Sequence, residues 1–257
     1  MMSLDKKYII LSQTIGVFPF TQILARYILK NATRISVRDY ISAQRLYSLG
    51  INQITIAPDI AFLINHNRID TKNFIIGFNV SPLICKVQIP HSFVKLINKL
   101  SDFAEILFIP HVVAPVKRTK IMRLRDDRVV LKQIYENFED RDNVSLVDSF
   151  DDIGDSIAKC DLFIGGRFHS VVYAISLGIP SILLGYSEKA ESFASYFDFK
   201  DCYISIDSDD FLIQLETKIY HMLENISSFK IRFIDLRNQT RNEALKHVRM
   251  LRMLLND

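Results

Sequence analysis

The chain has 257 residues and a formal net charge of +3, and hydrophobic residues make up 49% of it. This length provides apolar core for one large or two small domains, and the weak positive charge excludes the clustered basic surface typical of nucleic-acid-binding proteins. The 3 cysteines lie far apart and form no paired motif, which argues against a zinc site and favours a reducing compartment. We therefore expect a soluble protein with no metal ion and no nucleic acid partner.

Short apolar runs alternate with segments of helical periodicity along the whole chain. Strands are predicted at 8–12, 34–37, 54–57, 74–80, 104–109, 144–147, 161–165, 180–185 and 202–206. Helices are predicted at 18–30, 39–48, 91–101, 126–138, 152–159, 168–177, 188–196, 209–224 and 229–254. Such alternation predicts an α/β fold with parallel sheets and helices on both faces.

A polar stretch divides this series of elements. Residues 66–72 contain no apolar run and are the best candidate for a linker. Residues 1–65 are then predicted to be a partial amino-terminal Rossmann-like domain, and residues 73–257 a carboxyl-terminal one. The final helix is predicted to pack through an apolar face made of Ala244, Val248, Leu251 and Leu255.

The most informative segment runs from Cys160 to Lys189. A short apolar strand ends in Gly165-Gly166, and a helix with apolar spacing follows from Ser170. Arg167 and His169 therefore lie just past the carboxyl end of a strand, at the start of a helix. Open α/β sheets bind ligands at this edge, and helix amino termini favour anions. The segment predicts an anion-binding site.

The string Gly166-Arg167-Phe168-His169-Ser170, continued by Gly178-Ile179-Pro180, Tyr186 and Lys189, resembles the signature of the polysaccharide pyruvyl transferase family. Further stretches that resemble the family are Gln13–Gly16, Ile35–Asp39, Ala57–Phe62, Phe78–Ser81 and Ile109–His111. The resemblance implies two Rossmann-like parallel-sheet domains in a GT-B-like arrangement, with the final helix crossing back onto the first domain. Family members open with a further nucleotide-fold segment that has no counterpart before Tyr8, so we expect the first domain to be incomplete and the chain to be inactive alone.

The activity that the resemblance implies is transfer of pyruvate from phosphoenolpyruvate to sugar hydroxyls. The product is a cyclic ketal on a surface polysaccharide or exopolysaccharide. Phosphoenolpyruvate is the donor substrate, the acceptor is a sugar or a lipid-linked saccharide, and no cofactor is expected. We expect a cytoplasmic protein, with two further hypotheses: peripheral contact with the inner face of the membrane, and self-association through the first 65 residues.

His169 is the predicted catalytic residue. The neighbouring Arg167 and the helix dipole disfavour its imidazolium form, which suits a group that exchanges a proton with a substrate. The alternative is that His169 caps the helix or packs under the loop.

Four residues are predicted to bind the donor: Arg38, Arg167, Phe168 and Lys189. Guanidinium groups match the carboxylate and phosphate of phosphoenolpyruvate in bidentate geometry. Arg38 follows a strand of the first domain, and its alternative is a surface pair with Asp39, which is also the expected N-cap of the next helix. The alternative for Lys189 is a solvated position at a helix start.

Three residues are predicted to contact the acceptor: Asn79, Ser81 and His111. All of them lie at or just past the carboxyl ends of predicted strands. Asn79 and Ser81 can hydrogen-bond to sugar hydroxyls, with turn formation as the alternative. His111 is a candidate for acceptor contact or proton transfer, with loop packing as the alternative.

Two other functions remain open. One is a GT-B glycosyltransferase that uses a nucleotide sugar, although such an enzyme usually has an acidic residue for the ribose where this chain has Arg167 and His169. The other is a truncated, non-catalytic binding or assembly protein.

Overall fold

The structure is a computed structural model, and it describes residues 7–16, 21–82, 84, 91–114, 126–138, 141–147, 153–186 and 188–256. The strands are β1 (Ile9–Gln13), β2 (Arg34–Val37), β3 (Ile54–Ile56), β4 (Ile75–Asn79), β5 (Glu105–Phe108), β6 (Val144–Leu146), β7 (Leu162–Gly165), β8 (Ser181–Gly185) and β9 (Tyr203–Ser205). The α-helices are α1 (Gln22–Asn31), α2 (Tyr40–Ser48), α3 (His91–Ser101), α4 (Asp127–Glu136), α5 (Ile153–Ala158), α6 (Phe168–Ser176), α7 (Glu188–Tyr196), α8 (Phe211–Glu224) and α9 (Ile226–Asn256). Short 3₁₀ helices span Ile60–Leu63 and Lys200–Cys202. Each predicted strand and helix is present, and the predicted α/β class is confirmed.

The chain forms two compact units. The first consists of Met1–Ile64 together with Asn238–Asp257, and the second is the continuous segment Asn65–Arg237. The final helix α9 thus contributes its later residues to the first unit.

The residues predicted as a linker, 66–72, belong to the second unit. His66 Nε2 lies 3.1 Å from the carboxylate of Asp155, and the Arg68 side chain donates to the backbone carbonyl of Cys160 at 3.0 Å. Two of the polar side chains of this stretch thus bind the segment around α5. Polar composition here does not indicate a flexible linker.

The first unit contains a three-stranded parallel sheet in the order β1-β2-β3. Ile35 and Val37 of β2 point to one face, where they form a buried cluster with Leu29 of α1 and Leu46 of α2. Ser36 lies between them in sequence and so points to the opposite face, because side chains alternate along a strand. That opposite face is covered by α9.

The buried residues of α9 in the first unit are Thr240, Ala244, His247 and Met250. Of the predicted apolar face, Ala244 is buried and Val248 and Leu251 are partly buried, while the side chain of Leu255 lies outside the described residues. The helix is rotated so that a histidine faces the sheet, which is tolerated because the polar atoms of that histidine are all hydrogen-bonded.

His247 connects α9 to β2 and to the segment after β3. Its Nε2 lies 2.8 Å from the carbonyl oxygen of Pro58 and must donate to it, so Nδ1 accepts from the Ser36 hydroxyl at 2.9 Å. The oxygen of Ser36 in turn accepts from the backbone N–H of Ser12 at 2.9 Å. In a neutral ring this chain of hydrogen bonds places the hydrogen on Nε2.

We predict that His247→Leu lowers the free energy of unfolding by about 1–3 kcal/mol, because it leaves the Pro58 carbonyl and the Ser36 hydroxyl buried without their partner. Urea unfolding followed by circular dichroism measures the change. His221→Leu, at an exposed position of α8, is the matched control and should have little effect. Equal unfolding midpoints for the two variants would contradict this role of His247.

The second unit contains a six-stranded sheet in the order β6-β5-β4-β7-β8-β9, and all of its pairs are parallel. The chain builds the sheet outward from β4 in one direction and then outward from β7 in the other. The connections therefore leave β4 and β7 on opposite faces, and a crevice forms between their carboxyl ends. None of the helices in the described part of the chain is long and apolar enough to span a bilayer.

Candidate active site

The crevice between β4 and β7 is bordered by Asn79, Arg167 and His169, three of the predicted site residues of the second unit. Asn79 and Gly165 are paired at the ends of these strands, and the backbone N–H of Gly166 donates to the Asn79 carbonyl at 2.7 Å. A Cβ atom at Gly166 would lie only 3.0 Å from that carbonyl oxygen and would contact Ile84 as well. Glycine is required here because the turn after β7 passes directly against the end of β4.

A single carboxylate, that of Asp127, joins the loops around this crevice. Asp127 is the first residue of α4 and is 0% exposed. Its Oδ2 accepts from the backbone N–H of His111 at 3.0 Å, from the N–H of Val112 at 2.9 Å and from Nδ2 of Asn79 at 3.1 Å. Three donors on one oxygen balance much of the loss of solvation that burial imposes on the charge.

The other oxygen of Asp127 binds Arg167. Nη2 and Nε of Arg167 donate to Oδ1 of Asp127 at 2.7 Å and 3.1 Å, and the Arg167 side chain is only 12% exposed. Burial lowers the pKa of Arg167, but the hydrogen bond and attraction of Asp127 outweigh it, and a hydrogen bond with Tyr186 adds to them, so the pKa is raised. Arg167 is thus a fixed cation at the amino terminus of α6.

His111 lies beside this ion pair, three residues after the end of β5. Its Nδ1 is buried and has no hydrogen-bond partner among the described residues. Burial lowers the pKa of His111 to about 4, Asp127 opposes that shift, and positive charge on His169 and Arg167 adds to it. His111 is therefore a neutral imidazole at pH 7 with an unsatisfied nitrogen, and it lies within electrostatic reach of His169.

His169 and Phe168 are the first two residues of α6 after the Arg167 N-cap. His169 is exposed, and its ring lies 5.5 Å from that of Phe168 in an edge-to-face contact. Phe168 also packs edge-to-face on Phe193 of α7 at 5.5 Å, which anchors the start of α6. The predicted positions of Arg167 and His169 at the carboxyl end of the strand are confirmed. Lys189 lies in α7, but its side chain is outside the described residues.

Asn79 and Ser81, predicted to contact the acceptor, are both completely buried. Nδ2 of Asn79 donates to the Ile109 carbonyl at 3.0 Å as well as to Asp127, and its Oδ1 accepts from the Ser170 hydroxyl at 3.2 Å. Asn79 thus holds the loops of the crevice in place, and all of its amide groups are engaged inside the protein.

Arg38 occupies an equivalent position in the first unit, directly after β2. It forms an ion pair with the buried carboxylate of Asp59, and its Nε donates to the Thr14 hydroxyl at 2.7 Å. Asp39 caps α2 by accepting from the Ser42 N–H at 2.6 Å, which confirms the predicted N-cap. Two arginines are therefore each held by a buried aspartate beyond the carboxyl end of a parallel strand.

Asp127 and Asp59 are the two site residues that the sequence analysis missed. Asp127 shares its face of α4 with the buried residues Val130, Leu131 and Ile134. A carboxylate on the apolar stripe of a helix indicates a buried charge that needs a partner. The helical spacing between Asp127 and the apolar residues of α4 could therefore have identified Asp127 as a site residue. Among the described residues, no group of three or more histidine, cysteine or acidic side chains lies close enough to hold a metal ion.

We predict that Asp127→Asn destabilises the protein by about 3–5 kcal/mol, because either orientation of the new amide points its NH₂ group at existing donors and leaves Arg167 without a counter-charge. Thermal and urea unfolding measure the loss. Asp235→Asn, at an exposed position of α9, is the control and should unfold like the parent. A stability loss below about 1 kcal/mol at Asp127 would contradict the role assigned to it.

A second prediction concerns pH. The unfolded state protonates His111 near its ordinary pKa of 6.5, whereas the folded state does so only near pH 4. The free energy of unfolding should therefore fall as the pH drops from 6.5 towards 4, and His111 should account for roughly 2 kcal/mol of the loss at pH 5. Urea unfolding at pH 7.5 and pH 5 should show a smaller loss for His111→Gln, while His221→Gln should follow the parent. Parallel profiles for all three proteins would exclude a depressed pKa at His111.

Comparison with known proteins finds a family profile and a curated relative that match this sequence. The sequence profile described as Polysaccharide pyruvyl transferase matches residues 2–188. The amylovoran biosynthesis protein AmsJ of Erwinia amylovora is 25% identical over 195 residues, a match that covers 66% of this chain and 46% of AmsJ. The chain thus aligns with about half the length of this curated relative.

Solved structures of low sequence identity share this fold. A glycosyltransferase from Rickettsia africae superposes with a TM-score of 0.57 and 13% identity, over 94% of this chain and 67% of that one. Anabaena Alr3699/HepE, solved in complex with UDP-glucose, superposes with a TM-score of 0.60 and 11% identity, over 98% of this chain and 72% of that one. These similarities confirm the predicted fold class of Rossmann-like parallel sheets shared with GT-B glycosyltransferases. The match over residues 2–188, which include Arg38, Asp59, Asp127, Arg167 and His169, shows that the chain belongs to the polysaccharide pyruvyl transferase family.

Proposed function

We propose that this chain transfers pyruvate from phosphoenolpyruvate to sugar hydroxyls, forming a cyclic ketal during surface polysaccharide or exopolysaccharide biosynthesis. The observation that carries the proposal is the position of Arg167 and His169, directly beyond β7 and beside the crevice at which a doubly wound sheet binds its ligand. We further propose that the acceptor is a sugar or a lipid-linked saccharide and that the reaction is cytoplasmic.

Binding of the donor would use the cationic side of the crevice. Phosphoenolpyruvate carries a phosphate and a carboxylate, and both are matched by guanidinium groups and by free N–H groups at a helix amino terminus. The Asp127 carboxylate holds Arg167 in one orientation, so little side-chain entropy is lost when the anion binds. Arg38 and Lys189 remain predicted donor contacts.

The proposed reaction needs three proton transfers. His169 donates a proton to C3 of the enol, which gives C2 oxocarbenium character, and a sugar hydroxyl adds to C2 and loses its own proton. Phosphate then leaves with its C–O bond electrons, a second hydroxyl adds to C2 and closes the ketal, and the proton of that hydroxyl leaves with the phosphate. The neutral ring of His111 supports this scheme, because it can accept the hydroxyl proton from an acceptor bound beside His169.

A glycosyltransferase reaction is the second candidate, because one structural relative named above is a glycosyltransferase and the other was solved with UDP-glucose bound. A nucleotide sugar presents a diphosphate, a ribose and a base, whereas phosphoenolpyruvate presents a compact anion. The described part of the crevice offers Arg167, His169 and His111, which favours the compact anion. The two candidate reactions require different donor ligands, so a measurement of ligand binding distinguishes them.

Calorimetric titration with phosphoenolpyruvate, inorganic phosphate and UDP-glucose tests the proposal. We predict binding of phosphoenolpyruvate in competition with phosphate, and a loss of about 2–5 kcal/mol of binding free energy in Arg167→Ala. Arg167→Lys should recover only part of the loss, because an ammonium lacks the bidentate geometry. Binding of UDP-glucose without phosphoenolpyruvate would favour the glycosyltransferase, and binding of neither would favour a non-catalytic role.

The role of His169 is measured in the same protein by phosphate release in the presence of acceptor saccharide. His169→Ala should lower turnover by about 10²–10⁴-fold while phosphoenolpyruvate binding is retained, because acid–base assistance acts mainly in the transition state. His221→Ala is the control for an exposed histidine of the same unit. Loss of donor binding in His169→Ala would identify His169 as a ligand contact instead.

A further inference from the structure

Helix α1 presents an apolar face to solvent in the first unit. The exposed fractions are 89% for Ile23, 59% for Leu24, 60% for Tyr27 and 45% for Ile28. On the opposite side of the same helix, Leu29 is buried and Ala25 packs against the core cluster. A helix that is apolar on both sides is normally covered on both, and a contiguous exposed apolar patch marks an interaction surface.

The charged residues of the sequence segment that contains this helix are all basic. From residue 6 to residue 38 the sequence contains no aspartate or glutamate, and its cations are Lys6, Lys7, Arg26, Lys30, Arg34 and Arg38. Arg26 and Lys30 are exposed on α1 and form no ion pair with a described residue. On the helix they border the apolar stripe of Ile23 and Tyr27, since residues three and four positions apart share one side.

We propose that α1 docks the protein onto the surface of an anionic lipid bilayer. Exposed aliphatic side chains, an interfacial tyrosine and flanking cations without carboxylates are the features of helices that lie in the headgroup region. The exposed face formed by Ile23, Leu24, Tyr27 and Ile28 enters the boundary between headgroups and acyl chains, and Arg26 and Lys30 bind the lipid phosphates. This inference is independent of the reaction proposed above.

The charge pattern favours a bilayer over a second copy of the chain. A symmetric contact through α1 would bring Arg26 and Lys30 of both copies together with no carboxylate from this segment to balance them. The pattern also favours α1 over α9, although α9 is rich in basic residues. Lys230 pairs with Asp161 at 2.9 Å and Arg232 donates to Asp201 at 2.8 Å, so part of the charge of α9 is balanced inside the protein.

Sedimentation of the 257-residue chain with vesicles tests the proposal, with pure phosphatidylcholine compared with mixtures containing phosphatidylglycerol. The parent protein should bind the anionic vesicles and lose binding as salt is raised. The double variant Ile23→Ser, Tyr27→Ser should bind at least about tenfold more weakly, because two buried apolar side chains are lost. Arg26→Gln with Lys30→Gln should weaken binding to anionic vesicles by about 25-fold at low salt, at about fivefold per cation.

The matched control is Ile213→Ser with Ile231→Ser, which replaces two similarly exposed isoleucines of α8 and α9. This control should bind vesicles like the parent, and circular dichroism should show that all variants are folded. Equal losses in the control and the α1 variant would overturn the proposal, as would absence of vesicle binding by the parent. A concentration-dependent dimer in light scattering that the α1 substitutions abolish would assign the face to self-association and would also overturn it.

Discussion

The buried ion pair between Asp127 and Arg167 is the interaction on which the crevice of the second unit depends. Asp127 has lost all contact with solvent, so its charge is stable only while Arg167, Asn79 and two backbone N–H groups donate to it together. These donors come from the ends of the three neighbouring strands β4, β5 and β7, and Asp127, which accepts from them, is at the start of α4. A change in any one of these loops therefore alters the hydrogen bonds that Asp127 makes with the others. The loops at this edge of the sheet thus form one cooperative unit, in which Arg167 has one orientation.

The same principle occurs in both units. Arg38 and Arg167 each follow a parallel strand closely, and each is held by an aspartate at the start of a helical turn, Asp59 or Asp127. The carboxyl edge of a parallel sheet explains the recurrence, because all of its strands end there and the following helices begin there. An arginine placed on this edge is partly desolvated, and an adjacent buried carboxylate keeps it charged and ordered. In both units the orienting aspartate lies far from its arginine in sequence.

Much of the fold could be predicted from local pattern, because short apolar runs and helical periodicity determine each element on their own. The position of Arg167 and His169 at the carboxyl edge of the sheet could be predicted from the glycine turn after β7. Contacts between distant residues could not be predicted in this way. The partner of Asp127 lies 40 residues away, and the polar atoms of His66 and Arg68 are bound to residues around α5. His247 was missed for the same reason: its place on a buried helical stripe depends on Ser36 and Pro58, which are remote in sequence.

The division of α9 between the units has a consequence for the order of folding. The second unit is continuous in sequence, so it can reach its native contacts while the chain is still being synthesised. The first unit has its sheet near the amino terminus and its covering helix at the opposite end, and the hydrogen bond between Ser36 and His247 closes a separation of 211 residues. One face of β1, β2 and β3 thus stays uncovered until α9 has been synthesised. The first unit can therefore complete its fold only after the second unit has been synthesised.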